Sequence, residues 1–251
     1  MPPATSTGAM GNGGATSGVP PSLVGDPRNT WAFAPLDDPE RIVVEGTSRR
    51  QRSWSTSKVL VAAAFVATVG RGDPTRLDAH QRSLVQRALS ASDASALLGM
   101  ARAIPGGPGP VMTRILRSIG DTSTPDAPSH NTGTMTWSVE AQVRFLAAMA
   151  HDRVVSPGTS RFLLESMKPI PEHAWGLGRL GASALKGGWL ASDRESRQMG
   201  ILDGYAVAIL TDAVGPAVRQ SDGEYAHVEA LNGLADRLKL RLHADAEAHR
   251  Q

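Results

Sequence analysis

Residues 53–69 read SWSTSKVLVAAAFVATV, and this stretch decides how the rest of the chain is read. From Ser55 to Val69 it is apolar almost all the way round, the pattern of a buried central helix rather than an amphipathic surface one. Val59 to Val69 is shorter than the roughly 18 apolar residues a membrane span requires, and Gly70-Arg71-Gly72-Asp73 follows it. Three hydroxyls and a lysine crowd the head of the helix. The spacing of three between Ser55 and Lys58 puts both on one face, one turn apart. A serine at a helix N-terminus has its own N–H free, pointing where an oxyanion could form. A buried lysine beside it is driven toward neutrality and can take the serine proton. The plainer alternative is an N-cap serine followed by a lysine that snorkels to solvent.

Lysine usage favours the first reading. Four lysines, at positions 58, 168, 186 and 239, stand against 22 arginines. Such a chain keeps lysine most readily where arginine cannot serve, and proton transfer is one such task.

Outward from this helix, Trp31–Leu36 and Arg41–Glu45 read as a hairpin around the turn Asp37-Asp38-Pro39. The middle, about residues 74–168, is mostly helical: His80–Met100 keeps helical spacing, Pro105–Pro110 breaks it, and Met112–Ile119 resumes it. Thr124–Thr136 is a polar loop, and Val139, Val143, Leu146, Ala147 and Ala150 form a 3.6-period stripe. Ala184–Lys186, Arg197–Leu202 and Tyr205–Leu210 read as strands, the last two joined by Asp203-Gly204. Val228, Leu231, Leu234, Ala235, Leu238 and Leu242 predict a closing amphipathic helix. Strands at both ends with helices between them give an α+β fold, an antiparallel sheet flanked by helices with an all-helical lobe inserted. Residues 1–28, rich in Gly, Ser, Thr, Pro and Ala, read as a flexible tail, and 29–251 as a single domain.

Composition excludes several classes. With 41% apolar and 20% charged residues the chain has material for a real core. A net charge of +2, with cations scattered apart from Arg49-Arg50-x-Arg52, argues against nucleic acid. The absence of cysteine removes disulfides, thiol catalysis and Cys-ligated zinc. The histidines show no metal-ligand spacing, so neither metal nor cofactor is expected. The opening MPPATSTGAMGNGGATSGVPPS has neither a basic n-region nor an apolar h-region, so no secretory signal is visible.

Two further motifs follow Ser55-x-x-Lys58: Ser90-Ala91-Ser92-Asp93-Ala94 in the helical region, and Lys186-Gly187-Gly188-Trp189 on a strand. In this order they resemble S-x-x-K, S-D-N and K-T-G of the penicillin-recognising serine hydrolases, the class A β-lactamases and penicillin-binding proteins. The resemblance runs over roughly residues 30–242. It extends to LSASDASALLGM, ILRSIGDTST, TMTWSVEAQVRFLAAMA and SRQMGILDGYAVAILTD. It implies a β-lactamase/transpeptidase-like fold with Ser55 as acylated nucleophile, Lys58 as proton acceptor, Ser92 as proton relay and Lys186 as electrostatic anchor. The N–H groups of Ser55 and Trp189 would form the oxyanion hole, Gly187 and Gly188 would line the substrate, and Arg197 would pair with its carboxylate. The implied substrate is a small β-lactam or peptidoglycan-like amide. The resemblance also implies a secreted or cell-envelope location, and a monomer is expected.

Three departures stand out. Ala94 replaces the Asn of S-D-N, and Gly187 replaces the Thr or Ser of K-T-G. No Glu lies between Asp121 and Trp137, where class A enzymes carry the base that activates the deacylating water. Slow deacylation is therefore expected unless Asp121, Asp126 or His130 substitutes. The alternative is a degenerate, non-catalytic relative that binds a ligand or cell-wall fragment.

Overall fold

The computed structural model describes residues 19–48, 51–189, 195–212 and 226–250. Strands β1 (Asn29–Pro35) and β2 (Val43–Gly46) form the expected hairpin, the second starting two residues later than its sequence reading. Helices α1 (Ser57–Thr68), α2 (Ala79–Ser90), α3 (Ala94–Ala103), α4 (Gly109–Ser118), α5 (Val139–Ala150) and α6 (Pro157–Ser166) follow. Then come β3 (Ala184–Trp189), β4 (Ser196–Leu202), β5 (Tyr205–Thr211) and helix α7 (Ala226–Ala248). The strands make one antiparallel sheet in the order β2-β1-β5-β4-β3. The α+β architecture expected from the sequence is the one present. No helix among the described residues is long and apolar enough to cross a membrane.

The sheet sorts its side chains by size. Successive residues on a strand point to opposite faces. Trp31 and Phe33 therefore sit on one face opposite Ile209 and Val207, while Ala32 and Ala34 lie on the other opposite Ala208 and Ala206. The bulky face packs under α7 through Leu231, Leu234, Leu238 and Leu242. The alanine face lets the helices approach closely, and α1 contributes Val59–Val66, all fully buried, to that side. A fully buried Val, Leu or Phe stabilises by about 1.5–3 kcal/mol, so α1 is held by burial on every side.

Two readings need correction. Of the expected tail, residues 1–18 lie outside the described residues, but Leu23 is buried and its N–H donates to Glu45 Oε2 at 2.9 Å. The anchored chain thus begins before residue 29. His80–Met100, read as one helical run, is two helices. Ser92 takes a left-handed conformation (φ 57°), and the Asp93 carboxylate accepts the Ser95 and Ala96 N–H groups at 2.7 and 3.1 Å. An aspartate offering itself to its own backbone starts a new helix there.

Candidate active site

Ser55 lies in a short 3-10 turn, Trp54–Thr56, that runs straight into α1. The turn is braced from outside. Ser53 N–H donates to the Met135 carbonyl at 2.9 Å, Ser53 Oγ to the Thr132 carbonyl at 2.9 Å, and Ser57 Oγ to Trp54 O at 2.8 Å. Trp54 adopts φ 44°, a left-handed conformation in which a bulky residue is strained. Strain of this kind costs about 1–3 kcal/mol and persists only where the surroundings over-determine it.

The Ser55-x-x-Lys58 spacing does what a helical turn should. Lys58 Nζ lies 2.9 Å from Ser55 Oγ, 2.6 Å from the Ser92 carbonyl and 3.1 Å from Ser92 Oγ. Ser92 is in reach because the left-handed break between α2 and α3 turns it inward. From the sheet edge, Lys186 Nζ donates to Ser92 Oγ at 3.0 Å and to the Gly187 carbonyl at 2.8 Å. Ser55, Lys58, Ser92 and Lys186 thus converge from three separate elements.

Both lysines are buried, and among the described residues no carboxylate hydrogen-bonds to either. Burial lowers the Lys58 pKa to about 8, with Asp93 opposing the shift through its charge. Burial first, and the Lys58 charge second, push Lys186 well below the ordinary lysine range. Near pH 7 roughly one Lys58 in ten is then a neutral amine. Ser92 Oγ receives an N–H from each lysine, which fills its two lone pairs and leaves its own proton to give away.

β3 is an edge strand, and it passes directly over the serine turn. A Cβ built on Gly188 would lie 2.9 Å from Ser53 O and 3.0 Å from Ser55 N, so only glycine allows this approach. Leu185 N–H donates to Met167 O, away from the sheet. By the two-residue alternation, the N–H groups of Gly187 and Trp189 turn to that same outer edge. The edge N–H of Trp189 is thereby brought to the side of the strand that faces Ser55. Gly187 points to the opposite face from Lys186, where a Cβ would stand 3.3 Å from the Trp189 ring and 3.7 Å from Trp175. A hydroxyl side chain there would meet indoles, so the space is taken by the Trp175–Trp189 pair, centroids 5.3 Å apart.

Arg197 does not open onto the site. It is fully buried, donating to the Trp137 carbonyl and to Glu195 Oε1, both at 2.9 Å, and burial lowers its pKa to about 10. The expected pairing with a substrate carboxylate is corrected accordingly: the guanidinium is committed to an internal ion pair. Glu195, which lies just before β4 and is buried beside Arg197, was missed by the sequence reading. Gln142, also missed, is fully buried and reaches Thr56 Oγ1 (3.3 Å) and Trp137 O (3.2 Å) behind the nucleophile turn.

Both carboxylates of the loop between α4 and α5 are engaged. Asp121 is buried, and its carboxylate accepts from Ser123 N, Ser123 Oγ, Thr124 N and Thr124 Oγ1 at 2.5–3.1 Å. Asp126 is 86% exposed and reaches Arg117 at 3.3 Å. His130 is exposed on the loop surface. Glu140 lies in the first turn of α5, as a favourable dipole placement predicts.

No protein-family model and no curated protein matches the chain. Solved structures do. A β-lactamase from Xanthomonas campestris superposes with a TM-score of 0.64 at 19% identity, covering 84% of this chain and 90% of its own. A variant of the last common ancestor of Gram-negative bacterial class A β-lactamases gives 0.63 at 19% identity, over 88% and 94%. The TLA-1 extended-spectrum β-lactamase gives 0.62 at 15% identity, over 85% and 94%. The similarity covers 84–88% of the chain in these three, and the chain therefore has a serine β-lactamase-like fold of the class A type.

Proposed function

We propose that the protein is a serine acyl-transfer enzyme, acylated on Ser55 by a β-lactam or a peptidoglycan-like amide and slow to deacylate. The observation that carries this reading is the contact between Ser55 Oγ and the Nζ of a lysine whose pKa burial has brought down to about 8. Neutral Lys58 takes the Ser55 proton as Ser55 Oγ attacks the acyl carbonyl. The oxyanion forms against the N–H groups of Ser55 and Trp189. Ser92 gives its proton to the departing nitrogen and recovers one from Lys58. The products are an ester on Ser55 and an amine, released from an open-chain amide but still attached to the adduct when a β-lactam ring is opened, with all protons accounted for. Lys186, buried and with no carboxylate among the described residues hydrogen-bonded to it, would hold its proton more firmly beside an anion, which favours a substrate that carries a carboxylate.

A second reading, ligand binding without turnover, draws on one feature. Asp121 and Asp126, the acids within the loop, are engaged by the loop itself and by Arg117. It differs from the first reading at the ester itself, which a non-catalytic binder of a ligand or cell-wall fragment does not form. Intact-mass measurement after incubation with a fluorescent penicillin tests the acylation step. One penicilloyl adduct on wild type and none on Ser55→Ala is expected. An unmodified wild type after hours at millimolar ligand, or labelling that survives Ser55→Ala, would overturn the nucleophile assignment.

A further inference from the structure

A cavity of about 540 Å³ opens between α3 and the 129–133 segment, apart from the four residues of the Ser55 cluster. One wall is a stripe of α3: Leu97, Leu98, Ala101 and Arg102 fall at i, i+1, i+4 and i+5 and so share one helix face. Ile104 closes the end, and His130 and Asn131 stand across from them. Its volume lies within the range of small-molecule sites.

Two observations say what such a site would take. Leu98 is 52% exposed, an unusual place for a leucine on a helix whose other face buries Ala96 and Met100. It presents apolar surface to a concavity rather than to a packed neighbour. Arg102, on the same stripe, is exposed, and among the described residues its guanidinium makes neither an ion pair nor a hydrogen bond. The chain engages many of its other arginines, among them those at 41, 117, 144, 179, 197 and 241, with carboxylates. A cation without an acid partner, on the same wall as Leu97, Leu98, Ala101 and Ile104 and across from the polar Ser129–Thr132 segment, is complementary to an anion with an apolar body.

We propose that this cavity is a binding site for an amphiphilic carboxylate, an apolar alkyl or aryl body lying on Leu97, Leu98, Ala101 and Ile104 with its carboxylate on Arg102. The site does not depend on Ser55 chemistry. Its outer wall nevertheless belongs to the segment that braces the nucleophile turn, since Gly133 stacks on the Trp54 backbone, where an added Cβ would lie 3.4 Å away.

Isothermal titration of the full chain with decanoate, below its micelle concentration, tests the site, with decan-1-ol as the neutral counterpart. Saturable one-to-one binding of decanoate, tighter than that of decanol, is expected. Arg102→Gln should weaken decanoate by up to about five-fold, the size of an exposed ion pair, and leave decanol unchanged. Leu98→Glu, at an exposed position that keeps the helix intact, should weaken decanoate by more than tenfold. Ser55→Ala should bind as wild type does, which separates this site from the acylation reading. Absence of saturable binding would overturn the proposal. Equal affinities for acid and alcohol, unimpaired binding by Leu98→Glu, or loss of binding in Ser55→Ala would do the same.

Discussion

Around Ser55, four polar side chains from three elements meet at 2.9–3.1 Å, whereas from Asp121 to Trp137 the carboxylates serve the loop and Arg117. The two regions face one substrate in the proposed chemistry but are equipped for different halves of it. The first holds a nucleophile, a base with a lowered pKa and a relay. The second holds an aspartate already saturated by four hydrogen bonds. A site assembled this way is suited to forming an ester and poorly suited to breaking it.

The sharpest way to break this contrast is to remove the base on the equipped side. Lys58→Arg keeps the charge but cannot supply a neutral amine, so acylation should fall by roughly 10²–10⁴. Stopped-flow labelling with a fluorescent penicillin measures it, and a fall of only a few-fold would make Lys58 structural. Next in size is the frame behind the site. Glu195→Ala strands a buried Arg197, and losing one partner of a buried pair costs about 3–5 kcal/mol. Urea unfolding should show that loss; a change below 1 kcal/mol would mean that Arg197 has other means of compensation.

The pH profile sharpens the comparison further. Lys58 works as a base only when neutral, and its pKa is lowered to about 8. Acylation should therefore rise close to tenfold per pH unit below that value and level off above it. A rate that is flat from pH 6 to 9 would remove Lys58 from the proton transfer. The smallest effects are expected on the poorly equipped side. Asp121→Asn should cost about 1–3 kcal/mol of stability through its lost hydrogen bonds yet change deacylation less than threefold. A larger kinetic effect would show Asp121 acting as the missing base.

Much of this was legible in the sequence because it is local. A spacing of three sets Ser55 on Lys58, period-two patterning sets the strands, and Asp203-Gly204 sets the turn between β4 and β5. What could not be read depends on neighbours distant in the chain or on unusual backbone. Ser90-Ala91-Ser92-Asp93-Ala94 is legible as a polar helix start, but nothing in it announces a left-handed serine, since no glycine or proline marks the break. Arg197 has the same sequence appearance whether it faces solvent or Trp137. Asp121 shows its commitment only once Ser123 and Thr124 have folded back on it. The cavity along α3 likewise needs the 129–133 segment to close it.

The proposed chemistry turns on the order of two rates, fast ester formation and slow ester loss. A missing general base corresponds to a barrier higher by roughly 3–5 kcal/mol. Rapid mixing with a chromogenic cephalosporin reads both steps in one trace. The expected result is a burst of about one equivalent per protein followed by very slow release, with the acyl adduct visible by intact mass throughout. Steady turnover above about 10 per second, with no burst and no adduct, would contradict the account.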